Sequence, residues 1–81
     1  MSTPSEYRLR TALRVARAAR DLSQEQLAES VGVSRQTISS IETGQYCPST
    51  ALSLRLALVL GEQFEHLFWL EGEPGETASR A

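Results

Sequence analysis

Apolar positions recur at helical spacing through most of the chain. Leu9, Leu13 and Ala16 fall at i, i+4 and i+7 inside a stretch, residues 6–20, that is rich in Ala, Leu and Arg, which predicts a first helix. Ser23, with Gln26 three residues on, has the spacing of a capping box and opens a second helix whose inner face is Leu27, Ala28 and Val31. Gly32 follows at once as a left-handed stop. Ser34 is the next N-cap, Ile38 and Ile41 mark the inner face of a third helix, and Gly44 ends it. Residues 45–49 read as a loop carrying Pro48. Ser49 or Thr50 caps a fourth helix that offers Leu52, Leu56, Leu58 and Val59 for burial and stops at Gly61. A short fifth helix is expected over residues 63–70, where Phe64, Leu67 and Phe68 at i, i+3 and i+4 close the core. No segment reads as a strand and there are no internal repeats. The expectation is an all-α, compact five-helix domain over residues 6–70. A polar arm at 1–5 precedes it, and a polar tail at 71–81 rich in Gly, Pro and Ser is expected to be disordered.

Composition narrows the class. At 81 residues, 41% apolar and 22% charged, the chain has the make-up of one small globular domain with little room for a deep active-site cleft. The longest apolar run, residues 56–60, is far short of the roughly 18 residues that span a bilayer, and the N-terminus has no apolar secretory signal. One cysteine, Cys47, cannot form an internal disulfide, which suits a reducing cytoplasm. It stands in a loop without neighbouring ligands, and His66 is the only histidine, so neither a metal site, a cofactor site nor a Ser–His–Asp constellation can be assembled. These exclusions point to a binding module and away from an enzyme.

The net charge of −2 hides an asymmetry. The first twenty residues carry Arg8, Arg10, Arg14, Arg17 and Arg20 against Glu6, whereas the last twenty carry Glu62, Glu65, Glu71, Glu73 and Glu76 against Arg80. Such a field can present a basic face to a polyanion. Each of these arginines is equally accounted for as part of a solvated, salt-bridged helix surface.

Residues 24–43 carry the functional signal. Ala28 permits two helices to cross closely, Gly32 supplies the positive φ of a tight turn, and Val33, Ile38 and Ile41 face inward. This Ala-x3-Gly-x5-Ile spacing is that of two helices joined at a steep angle by a short turn. With its neighbours, the segment LSQEQLAESVGVSRQTISSIETGQYCPS resembles the helix-turn-helix of the phage-repressor and Cro-like (Xre) family of bacterial regulators. The matching elements are Leu22 to Glu25, Leu27 and Ala28, Gly32 to Ile38, Ile41 and Glu42, and Gly44. The resemblance spans residues 13–70 and implies a repressor-like fold, with the third helix, about 34–43, lying in the major groove of duplex DNA.

On that helix Arg35, Gln36, Ser39, Ser40 and Thr43 form a polar stripe opposite Ile38 and Ile41. Arg35 suits bidentate contact with guanine O6 and N7, Gln36 suits adenine N6 and N7, and each good pair contributes about 1–3 kcal/mol of discrimination. Ser40, one turn below Gln36, suits either base or a thymine methyl. Ser39 and Thr43 fit equally well as ordinary exposed hydroxyls. Gln24 lies at the second helix's N-terminus, where orphan N–H groups favour an anion, and the resemblance implies a backbone-phosphate role for it. Ser34 and Thr37 are expected to flank the groove at phosphate. Thr43, Gly44, Gln45 and Tyr46 are expected against the opposite backbone. Relatives often carry Asn in place of Thr43 and Lys in place of Gln45; the missing cation predicts weaker binding with a flatter salt dependence.

The resemblance also implies a pair between Arg17 and Glu42 that fixes the first helix against the third, with Arg17 in a position to face phosphate as well. Trp69 and Leu70 are too apolar for an open surface. They either pack against Tyr7 or Leu9 or form a two-fold dimer patch. The expected function is a sequence-specific regulator, a repressor, binding a palindromic site in double-stranded DNA as a homodimer. The alternative is an antitoxin-type module that neutralises a protein partner and binds DNA secondarily; the shortness of the polar tail counts against it.

Overall fold

The computed structural model describes residues 7–72. Its elements, in chain order, are β1 (Arg8–Thr11), α1 (Leu13–Ala19), α2 (Gln24–Val31), α3 (Arg35–Glu42), α4 (Thr50–Leu60), α5 (Phe64–Leu67) and β2 (Phe68–Glu71). Residues 1–6 and 73–81, which hold the expected polar arm and most of the expected tail, lie outside the described residues.

Three of the helices start at serines that do the same job. Ser23, Ser34 and Ser49 each have an extended backbone and accept a hydrogen bond from the N–H three residues on, satisfying one of the orphan donors of the first turn. At Ser23 the box is complete: its N–H donates to the Gln26 side-chain oxygen at 2.8 Å, and the Gln26 N–H donates to its hydroxyl oxygen at 3.0 Å. Gly32, at φ 82°, ends α2 and turns the chain into α3; a β-carbon there would sit in a conformation that L residues rarely adopt.

The core is one cluster. Leu13 and Ala16 of α1, Leu27, Ala28 and Val31 of α2, and Ile38 and Ile41 of α3 meet Leu52, Leu56, Ala57 and Leu60 of α4, with Leu67 and Phe68 closing one end. On α4 the inner stripe is Leu52, Ser53, Leu56, Ala57 and Leu60. Leu58 therefore falls on the outer face and is 80% exposed, contrary to the expectation that it is buried. Phe64 is also left 38% exposed and rests against Phe68, with ring centroids 6.0 Å apart.

The ends of the domain differ from the all-helical expectation. The first helix is only Leu13–Ala19, the fifth only Phe64–Leu67, and the flanking segments form a two-stranded antiparallel ribbon. Its register pairs Arg8 with Glu71, Leu9 with Leu70, Arg10 with Trp69 and Thr11 with Phe68. Leu9 thus belongs to a strand and not to the stripe of Leu13 and Ala16, and Glu71 belongs to β2 and not to a tail. Two local features enforce the switch. Thr11 accepts the Leu13 N–H at 3.1 Å and donates from its hydroxyl to the Leu67 carbonyl at 2.9 Å, starting α1 and gripping the end of α5 together. Beyond α5, the run Phe68, Trp69, Leu70 suits a strand, and pairing with a partner some sixty positions away outweighs the helix propensity of Arg and Leu.

Candidate nucleic-acid interface

The geometry of the interface rests on α1, α2 and α3, held by a polar network around Glu42. The Arg17 guanidinium donates from Nε to Glu42 Oε2 at 2.7 Å, from Nη2 to Glu42 Oε1 at 3.3 Å, and from Nη1 to the Leu22 carbonyl at 2.8 Å. The pair is bidentate and close to water-free, with side chains 15% and 4% exposed. It ties α1 to the end of α3 and to the turn before α2. All three nitrogens of Arg17 donate inside the fold, and one hydrogen on each of Nη1 and Nη2 remains for a further acceptor. The Leu22 carbonyl is the one member of the network that sequence reasoning missed; main-chain acceptors carry no residue signature.

Glu42 has a second ligand. Gln24 donates from its side-chain nitrogen to Glu42 Oε1 at 3.0 Å, and its side-chain oxygen accepts from Arg35 Nη1 at 3.3 Å. The chain Arg17–Glu42–Gln24–Arg35 therefore runs from the interior to the exposed start of α3. Gln24 keeps one amide hydrogen outside these two bonds, and its side-chain oxygen holds one nitrogen of the Arg35 guanidinium.

The rest of α3 divides into two flanks. Arg35 leans toward Gln24 across the exposed surface. Gln36 and Ser40, with Ser34, Thr37, Gln45 and Tyr46, line a shallow hollow between α3 and the following loop. The predicted stripe is thus two flanks of one helix, with Arg35 and Gln36 exposed and Ser39 and Ser40 half-buried. Ser34 and Thr37 share a hydrogen bond between their hydroxyls at 2.9 Å, and the Ser34 oxygen also accepts the Thr37 N–H at 3.1 Å. One of those hydroxyls remains able to donate outward. Thr43 is different: its hydroxyl turns back to the Ser39 and Ser40 carbonyls at 3.1 and 3.3 Å. In this conformation its proton is engaged within the helix. The Gln45 and Tyr46 N–H groups both close on the Ser40 carbonyl, at 2.9 and 3.2 Å. This fixes the turn after α3 and leaves both side chains exposed.

Trp69 and Leu70 lie on β2, 45% and 60% exposed. Leu70 is paired with Leu9, one of the two partners foreseen for this patch, yet the pairing leaves it uncovered. Among the described residues no helix is long and apolar enough to cross a membrane.

Two helices joined by the short turn at Gly32, the second with an exposed polar flank, form a helix-turn-helix. The family comparison agrees: the helix-turn-helix model HTH_3 matches residues 13–67, and the chain belongs to that family of Cro/C1-type (Xre) DNA-binding transcriptional regulators. It is 47% identical over 57 residues to the uncharacterized HTH-type transcriptional regulator YgzD of Bacillus subtilis, covering 70% of this chain and 86% of the relative. It is 48% identical over 64 residues to an uncharacterized HTH-type regulator of Methanothermobacter thermautotrophicus, covering 78% of this chain and 93% of the relative. Among solved structures it is similar to the restriction-modification controller protein C.AhdI of Aeromonas hydrophila, at 39% identity and a TM-score of 0.65 over 69% of this chain and 81% of that one.

Proposed function

We propose that the protein is a cytoplasmic, non-enzymatic transcriptional repressor that binds a palindromic operator as a homodimer and acts by occupying a promoter. The observation that carries this reading is the exposed start of α3, where Arg35 and Gln36 project while Gln24 holds the arginine from below. Arg35 reads guanine and Gln36 reads adenine in the major groove, with Ser40 and Ser39 next along the helix. Phosphate contacts come from the second amide hydrogen of Gln24, from the Ser34–Thr37 hydroxyl pair, and from Gln45 and Tyr46. Main-chain N–H groups at the start of α2 add to them. Homodimerisation follows from the weakness of one copy. A chain of net charge −2 gains little from counterion release, whereas two copies on half-sites about one helical turn apart multiply modest contacts.

The test is enrichment of binding sites from random duplex DNA with the full chain. The expected result is a two-fold symmetric site with half-sites roughly 10 base pairs apart centre to centre. Absence of any enriched sequence would overturn the reading and turn attention to a protein partner.

A further inference from the structure

Among the described residues the terminal ribbon has two free edges, and they are not equivalent. In an antiparallel pair, residues alternate between hydrogen-bonded and non-hydrogen-bonded positions. The Ala12 N–H donates to the Leu67 carbonyl at 3.0 Å, which sets the phase. With the observed register, Arg10–Trp69 and Arg8–Glu71 exchange main-chain hydrogen bonds across the ribbon. Leu9 on β1, and Phe68 and Leu70 on β2, then point their main-chain groups outward. The Phe68 N–H closes on the Phe64 carbonyl at the end of α5, leaving the Phe68 carbonyl and both main-chain groups of Leu70 along the β2 edge.

We infer that the outer edge of β2 is the dimer interface: β2 pairs antiparallel with β2 of a second copy about a two-fold axis at Leu70, forming a continuous four-stranded sheet. This rests on the homodimer reading above and adds the surface that makes it. At the axis Leu70 and the partner's Leu70 exchange a reciprocal pair of N–H···O=C bonds, and the Gly72 N–H reaches the partner's Phe68 carbonyl.

Side chains favour this edge and this register. Directly paired residues share a face, so Leu9, Leu70, the partner's Leu70 and the partner's Leu9 line up in one apolar row. That row covers the leucine left 60% exposed in one copy. On the opposite face Trp69 stands against the partner's Glu71, and Glu71 is already held by Arg10 at 2.6 Å, so unlike or neutral groups meet throughout. The β1 edge fails the same test. Pairing it about Leu9 sets Arg8 directly opposite the partner's Arg10, a like-charge juxtaposition that disfavours pairing and guards that edge. Leu9, Thr11 and Phe68 share a hollow with Ile41, Thr43 and Tyr46.

The test uses the full chain and two measurements. In the first, the dimer dissociation constant is measured by analytical ultracentrifugation for the wild type, Leu70→Pro and Leu58→Arg, with helical circular dichroism and melting recorded alongside. Leu70→Pro removes an N–H that the ribbon itself does not use. It is expected to raise the dissociation constant at least about tenfold while the helices still melt as in the wild type. Leu58→Arg, at the most exposed leucine of the helical surface, is expected to leave it within about twofold. In the second, Leu70→Cys and Leu58→Cys are each placed in a Cys47→Ser background and mildly oxidised. Opposed positions in a strand pair lie about 5.5 Å apart at Cα, within disulfide range, so only Leu70→Cys is expected to give covalent dimer. This measurement stands even where Leu70→Pro disturbs folding. A wild-type dimer that cross-links through position 58 and not through 70 overturns the interface and leaves the homodimer intact. A wild type that is monomeric both free and on DNA overturns the homodimer and the interface with it.

Discussion

In the helix-turn-helix, α2 and α3 start at their own serines, Gly32 makes the turn between them, and the Arg17–Glu42 pair locks α1 against α3 with its carboxylate nearly dry. In the ribbon, two four-residue strands meet across most of the chain, and the ion pair between them, Arg10 with Glu71, is half-exposed on both sides. The first region is held by contacts that complete each other internally. The second leaves a leucine pair, a tryptophan and a main-chain edge uncovered. Uncovered apolar residues also lie on the helices, at Val15 of α1 and at Leu54 and Leu58 of α4, but only the ribbon joins them to a main-chain edge.

The largest expected effect breaks the rigid side. Glu42→Ala leaves a mostly buried guanidinium and the Gln24 amide without their acceptor. It should cost roughly 3 kcal/mol of stability, read as a fall of more than about 10 °C in the melting temperature. An unchanged melting curve would show that the network is not what holds α1 to α3. Next, Gln24→Ala frees Arg35 from its support while sparing the Arg17–Glu42 pair. Operator affinity should fall by about tenfold, from the loss of a phosphate contact and of a preorganised arginine, with a stability change under about 1 kcal/mol. Ser34→Ala removes the cap of α3 and should cost about 1 kcal/mol in chemical denaturation. The smallest effect belongs to the ribbon: Arg10→Ala breaks an exposed ion pair and should change monomer stability by no more than about 0.5 kcal/mol. A large loss there would mean that the ribbon, and not the helical network, governs the fold.

The same contrast explains what could be read from the chain in advance. The caps at Ser23, Ser34 and Ser49, the stop at Gly32 and the inner faces of α2 and α3 are short-range features whose physical causes lie within a few residues of one another. They were legible, and with them the placement of Arg35 and Gln36 on an exposed helix start. The ribbon was not. Residues 6–20 look helical by propensity, and only the pairing of Leu9 with Leu70 turns the first of them into a strand. Apolar count alone also misplaced Leu58, because Ser53 and Ala57 take inner positions on α4 that larger residues were expected to fill. At the site, residue type and helix position found the participants but not their hydrogen-bond partners. Thr43 turns its proton inward, Arg17 is enclosed, and Gln24 faces Arg35.

In the proposed mode of binding, α3 reads sequence through Arg35 with Gln24 behind it. The most direct measurement compares wild type and Arg35→Ala by fluorescence anisotropy on the selected operator and on duplexes changed at one symmetric pair of positions at a time. The account predicts that the wild type discriminates against every base change at one guanine-containing position. Arg35→Ala should lose that discrimination, worth about 1–3 kcal/mol per half-site, and keep it elsewhere. Equal discrimination by both proteins at every position, or an affinity drop uniform across all duplexes, would contradict it: Arg35 would then be absent from the interface or only a phosphate contact.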